Sequence, residues 1–206
     1  GASVRRRDLG ACGGGWIVHG MRWVLEQPMS VNVHVHRDAG AAAMAAADCF
    51  VEIGQTAIDE RGQFCVALSG GTTPMRMYEI LGGTPGRDLP WERVHIFFCD
   101  ERCVPPDHAH SNYAMVRRSL LGGVGVLEDH VHRIEGELEP PERAAQLYDS
   151  ILRAFFGIGE VRSPLGPTFD LMLLGVGEDG HVASLFPGSR AVAEKDRWAV
   201  HAQAPK

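Results

Sequence analysis

The sequence predicts an α/β fold built on a mainly parallel sheet. Three observations carry that expectation. Short apolar runs recur, "QFCVALS" (63–69), "RVHIFFCDE" (93–101) and "FDLMLLGVG" (169–177), each with the length and continuity of a buried strand. Segments of helical period lie between them. Each run also ends in a loop dense in glycine or charge, and parallel sheets gather ligands beyond the carboxyl ends of their strands.

Taken in order, "VNVHVH" (31–36) alternates with period two and is expected as a strand. Asp38 is placed to cap the helix that follows, whose apolar face is read from Met44, Ala47, Val51, Gly54 and Ile58. The run 63–69 is the next strand, followed by a Gly-rich turn and a helix from about Thr73 to Leu81. The run 93–101 is a strand, and a helix from about Ser111 to Leu121 follows it. A short strand is expected near "HVHRI" (130–134). "PPERAAQLYDSILRAFFG" (140–157) reads as an amphipathic helix with prolines at its start. The run 169–177 is expected to be the strongest buried strand.

The chain has 206 residues, 45% of them hydrophobic and 22% charged, enough for one sizeable core. Residues 1–29 read as a flexible N-terminal extension and 30–206 as a single α/β domain. Net charge is −6, and Arg5-Arg6-Arg7 is the one basic cluster, so nucleic acid is not an expected partner. No apolar run approaches the roughly 20 residues that span a bilayer, and no membrane partner is expected. The five cysteines follow no disulfide or zinc spacing; Cys49, Cys65 and Cys99 lie in apolar segments and are expected as small core residues. A reducing compartment, the cytoplasm, fits that usage. A monomer is expected.

Chemistry is concentrated in three loops. In Ser69-Gly70-Gly71-Thr72-Thr73-Pro74 the glycines allow close backbone approach, the hydroxyls can donate, and the helix start favours an anion. No Gly-Lys-Ser/Thr follows, so this is not a Walker loop. A phosphate cradle and an ordinary tight turn are both open readings. The second loop begins Asp100-Glu101-Arg102, three charges at the tip of a buried strand. Arg102 could clamp a phosphate or carboxylate, with Asp100 and Glu101 orienting it or meeting sugar hydroxyls; the alternative is an internal ion pair at the loop root. Asp107, His108 and His110 invite a metal reading that lacks a third committed ligand, so a solvated loop is preferred and no metal is expected.

The third loop, Gly175-Val-Gly177-Glu-Asp-Gly180, has the spacing of a dinucleotide fingerprint. That reading needs a long helix next, and Pro187-Gly188 stop one; Glu178 and Asp179 would also oppose a pyrophosphate. The alternative is that the glycines shape a turn that aims His181, with Asp179 fixing its tautomer. Ser184 lacks a nucleophile-elbow setting, so the pair suits activation of water or proton transfer on substrate. A histidine that merely caps the next turn is the plainer reading.

Three stretches, "ALSGGTTPMRMYEIL", "FCDERCVPPDHAHSNY" and "FDLMLLGVGEDGHVASLFPGS", together resemble the glucosamine-6-phosphate isomerase/6-phosphogluconolactonase family, on its lactonase side, over roughly residues 31–206. The resemblance implies a doubly wound sheet flanked by helices, no cofactor, and hydrolysis of 6-phosphogluconolactone in the oxidative pentose phosphate pathway. It implies His181 as general base, Asp179 as its orienting partner, and Ser69, Gly70, Gly71, Thr72, Asp100, Arg102 and Asn112 around the sugar phosphate. It also implies Lys206 as a basic residue of a phosphate-binding segment and a domain continuing past that point, so 30–206 reads as truncated at its C-terminus. The deaminase relatives carry an acid where this chain has Phe186, and Asp-Glu-Tyr where it has Asp100-Glu101-Arg102. Both departures favour the lactonase over a deaminase-like isomerase. A non-catalytic sugar-phosphate-binding domain would not need His181 beside Asp179.

Overall fold

The computed structural model describes residues 31–83, 89–157 and 169–204. The expected extension 1–29 and Lys206 lie outside these. The chain divides into two units, residues 1–34 and 35–206. Of the first, residues 31–34 are described; they form neither helix nor strand and are exposed.

The strand expected at 31–36 is therefore not formed. Val31, Val33 and Val35 are all exposed. Period-two patterning marks which side chains would share a face, but a strand exists only where a neighbour supplies a hydrogen-bonding edge.

In the second unit, β1 (Phe64–Leu68) is the central strand, with β2 (Val94–Phe98) and β3 (Leu171–Met172) parallel on its two edges. Its burial on both faces follows from alternation. Phe64, Val66 and Leu68, with Val94, Ile96 and Phe98 of β2, face one layer, where they pack with Phe50, Ala57, Tyr78, Leu81 and Val116. Ala67 and Phe97 face the other, against Tyr148 and Leu152. Helices α1 (Ala39–Arg61), α2 (Thr72–Gly83) and α3 (Asn112–Ser119) thus contribute to one layer and α4 (Pro141–Phe155) to the opposite one. The sheet is doubly wound, as expected.

Local signals explain the helices. Asp38 accepts from the Ala41 N–H and caps α1, and Gly62 ends it in the left-handed region. Pro141 begins α4. The buried stripe of α1 differs from the expected one: Ala43, Ala47, Phe50, Gly54, Ala57 and Ile58 are buried, while Met44 is 46% exposed. Ala47, Gly54 and Ile58 are shared with the expected stripe. A Cβ on Gly54 would press on Leu89 and Phe64, so the helix needs a glycine at that point of close approach.

Two other strands are shorter than expected. Residues 130–134 supply one parallel bridge, Val131 to Ile96, with the His132 N–H donating to the Ile96 carbonyl at 2.8 Å. The run 169–177, expected as the most buried strand, pairs with β1 only near Asp170–Leu173; Met172, Leu174 and Val176 are exposed. An apolar run states capacity for burial, and burial of both faces requires cover on both. Cys49 is likewise exposed, contrary to its expected place in the core, because it falls on the outer side of α1. Cys65 is buried and its thiol is pushed up to about 12 by burial; Cys99 is half-buried and raised to about 11 for the same first reason.

Behind the sheet, three histidines lie together. The His95 and His130 rings stack at 3.8 Å, and His95 Nδ1 lies 3.3 Å from His132 Nε2, with Phe97 and Phe155 against them. Burial, reinforced by the neighbouring imidazoles, lowers His95 to about 4 and lowers His132 as well; Asp129 opposes the shift in both. A buried neutral histidine takes up a proton more readily when unfolded. The stability it contributes is complete above the unfolded value near 6.5 and lost as pH falls toward 4. Melting temperature should therefore drop between about pH 6.5 and pH 4, and His95→Gln should flatten that drop, as read by circular dichroism across the range.

Candidate active site

Each strand of the sheet delivers one of the three loops. After β1, Ser69 is 6% exposed and its hydroxyl donates to the Leu173 carbonyl at 2.6 Å, while Tyr78 of α2 donates to the Ser69 carbonyl at 2.9 Å. Ser69 thus ties the loop root to the end of β3, and its proton is turned inward. Gly70 is required by contact, since a Cβ there would overlap the Asn112 carboxamide. Gly71 is required by conformation, with φ of 103°. Thr72 then opens α2, a helix of 12 residues whose first-turn N–H groups follow directly on the glycines. Gly71 and Thr72 are exposed.

After β2, the three charges separate in role. The Glu101 carboxylate accepts from the N–H groups of Arg102 and Asn112 through Oε1, and from Ser111 Oγ and the Tyr113 N–H through Oε2. It satisfies orphan donors at the start of α3 and sits at the positive end of that helix. The Asp100 carboxylate accepts from Asn112 Nδ2 at 3.0 Å and from Ser184 Oγ at 2.6 Å, one donor on each oxygen. Asn112, 6% exposed, also donates to the Asp100 backbone carbonyl. Arg102 is exposed, and among the described residues its guanidinium has no ion-pair partner. The ion pair entertained for this loop root is therefore not formed there. Asp107, His108 and His110 are exposed, and no cluster of three ligating side chains with metal geometry occurs among the described residues.

After β3, the chain folds into two tight turns. The Gly177 N–H donates to the His181 carbonyl, the Gly180 N–H to the Gly177 carbonyl, and the Leu185 N–H to the Val182 carbonyl. Gly180 has φ of 83°. His181 Nδ1 lies 2.5 Å from Asp179 Oδ1. The imidazole lies against Gly177, where a Cβ would overlap its ring, and also meets Phe186 with centroids 4.9 Å apart. The spacing of glycines thus serves the placement of a histidine rather than a pyrophosphate. A carboxylate can only accept, so Nδ1 carries the proton, and in the neutral imidazole Nε2 presents a lone pair. Its hydrogen bond to His181 holds Asp179 below the ordinary carboxylate range. The His181 side chain is 34% exposed, and among the described residues Nε2 has no partner.

The loops converge through side chains. Ser69 reaches Leu173, Gly70 meets Asn112, Asn112 holds Asp100, and Asp100 receives Ser184. Of the expected site residues, Asp179 and His181 form a pair, Gly70, Asp100 and Asn112 form a contiguous cluster, and Gly71, Thr72 and Arg102 remain open to solvent. Lys206 is outside the described residues. A cavity of about 370 Å³, mostly apolar, lies on the α4 side and adjoins the site through Asp100 and Ser184, which line it together with Tyr148, Leu152, Met172 and Trp198. His181 and Gly70–Thr72 are not among its lining residues. Sequence reasoning missed the structural use of Glu101 and the Ser184–Asp100 link. Partners 84 residues apart leave no local signal for the latter.

Fold and site together define an α/β domain whose strand-end loops unite a glycine-rich helix start with a histidine–carboxylate pair. A sequence profile described as glucosamine-6-phosphate isomerases/6-phosphogluconolactonase matches residues 37–206, and the chain belongs to that family. It is 45% identical over 141 residues to a 6-phosphogluconolactonase of Synechocystis, an alignment covering 68% of this chain and 56% of that protein. A Nostoc 6-phosphogluconolactonase is 37% identical, with 82% and 68% covered. Among solved structures, 6-phosphogluconolactonase from Trypanosoma cruzi superposes with a TM-score of 0.69 at 34% identity, over 79% of this chain and 65% of that one. The Trypanosoma brucei enzyme gives 0.70 at 30%, over 84% and 72%. The chain thus spans between about half and about three quarters of the length of these relatives.

Removing the Glu101 carboxylate would strand several donors at the start of α3. Glu101→Ala should destabilise the domain by about 1–3 kcal/mol, seen as a lower urea midpoint with unchanged slope.

Proposed function

We propose that this chain carries the hydrolytic site of a 6-phosphogluconolactonase, opening 6-phosphoglucono-1,5-lactone to 6-phosphogluconate in the oxidative pentose phosphate pathway. The observation that carries the reading is the Asp179–His181 pair, with Nδ1 committed to the carboxylate and Nε2 open to solvent. Family membership and the names of the relatives support the substrate class.

In this reading His181 Nε2 takes a proton from water as the oxygen attacks the lactone C1 carbonyl. The tetrahedral adduct collapses with cleavage of the bond from C1 to the ring oxygen, and the imidazolium returns the proton to that oxygen. Water has then been added across one C–O bond, leaving a free hydroxyl and a carboxylic acid that releases its proton to solvent as the carboxylate. Asp179 favours the charged imidazolium while it lasts. Gly70, Gly71 and Thr72 offer backbone N–H groups at the start of α2 to the 6-phosphate, with Arg102 and Lys206 as cations for it. Asp100, steadied by Asn112, accepts from sugar hydroxyls; Ser69 supports the loop from beneath. Phe186 puts a ring, not an acid, against His181, which favours hydrolysis over deamination. The described cysteines are unpaired, in keeping with a cytoplasmic setting.

Hydrolysis of freshly generated lactone, followed as 6-phosphogluconate formation above the spontaneous rate, tests the proposal. His181→Ala should lower kcat by about 10²–10⁴-fold while 6-phosphogluconate still binds, and Asp179→Asn should fall in the same range. A wild-type rate equal to background would overturn it.

A further inference from the structure

We infer that Ser184 is a positioning residue: its hydrogen bond to Asp100 holds the turn that carries His181 against the loop after β2. The inference rests on the hydrolase reading for its catalytic consequence, and on geometry alone for the tether.

The turn is a small closed unit. Backbone hydrogen bonds join Gly177 to His181, Gly177 to Gly180, and Val182 to Leu185, and each lies within the unit. These bonds make it rigid without attaching it to anything else. Glu178, Asp179, Gly180 and Leu185 are exposed. Among the described residues, the side-chain hydrogen bond from this unit to the Asp100 loop is the one from Ser184 Oγ to Asp100 Oδ2, 2.6 Å long. The acceptor is itself fixed, because Asn112 Nδ2 holds the other oxygen and the Asp100 carbonyl. Ser184 is partly buried, so its bond to a carboxylate is shielded and short, in the range of strong charge-assisted bonds.

The backbone beside it points the same way. Ala183 has φ of 51°, in the left-handed region that a non-glycine residue occupies only at a cost in backbone strain. Such a conformation persists where neighbouring contacts over-determine it, and the adjacent residue makes the cross-loop bond. The hydroxyl is not a nucleophile in this arrangement. Its proton is given to Asp100, and His181 is bonded to Asp179 instead. The effect on the reaction is through His181: a loosened turn samples positions from which Nε2 no longer meets water and lactone together. Misplacement of that kind lowers kcat, while phosphate contacts made by other loops keep KM nearly constant.

The test is hydrogen–deuterium exchange on the full chain, with kinetics beside it, for wild type, Ser184→Ala, Ser184→Thr and Asp100→Ala. We expect the Gly177, Gly180 and Leu185 amides to exchange about tenfold faster or more in S184A, with β1 and β2 unchanged. Asp100→Ala should speed the same amides despite its distance in sequence, and S184T, which keeps the hydroxyl, should match wild type. Kinetically, S184A should lose about 10–100-fold in kcat with KM within about threefold, and S184T should restore it. Unchanged exchange in the turn, acceleration spread over β1 and β2, or S184T no better than S184A would each overturn the tether. Faster exchange with unaltered kcat would overturn its catalytic role. A wild-type chain that hydrolyses no lactone would remove the proposed function, and the exchange data would still decide the tether.

Discussion

A carboxylate drawn partly out of water must be met by donors, or its burial costs more than the fold can supply. At Asp100 the donors come from two directions, the Asn112 amide on one oxygen and the Ser184 hydroxyl on the other. Satisfying that one group draws the start of α3 and the turn after β3 toward the end of β2. Asn112 in turn lies against Gly70, so the glycine-rich loop is registered to the same point. The site is therefore a consequence of solving a desolvation problem at a strand end.

The scaffold beneath gives that solution its precision. β1 is hemmed on both edges and both faces, and its five residues are all buried. Ser69 and Cys99 follow β1 and β2 directly, so the two loop roots inherit the rigidity of the most buried part of the chain. Glu101 adds a second constraint by spending its carboxylate on the first turn of α3. Of three adjacent charges, one builds the helix start, one joins the loops, and one, Arg102, is left exposed. Adjacent charged residues can thus be separated in purpose by where the backbone turns their side chains.

Much of this was legible in sequence, and the failures share a cause. The cap at Asp38, the helix start at Pro141, and strands 64–68 and 94–98 follow from local chemistry and continuous burial, and they appear within a few residues of the expected bounds. The pairing of Asp179 with His181 was readable because two residues of spacing and flanking glycines permit little else. What failed depended on distant neighbours. Residues 31–36 had the right alternation and, among the described residues, no partner edge. The run 169–177 had the hydropathy of a core strand and cover along only part of it. The α1 face keeps Ala47, Gly54 and Ile58 of the stripe that the spacing predicts, while Met44 is exposed and Phe50 is buried. Glu101 was legible as a charge and not as a cap, because its helix begins eleven residues later.

Tyr148 shows how the layers are indexed to one another. Its buried hydroxyl accepts from the Phe98 N–H at 2.9 Å and faces the Phe98 carbonyl at 3.2 Å, standing where a neighbouring strand would otherwise stand. A helix packed on a sheet by hydrophobic contact alone can slide or rotate by small steps at little cost. Here one oxygen works as a key in a slot. Any translation of α4 along the sheet strips both backbone groups of their partner at once, in a place water does not reach. The apolar layer is thereby given an absolute position, and the strand end that launches Asp100 is fixed from behind by a residue of the opposite layer.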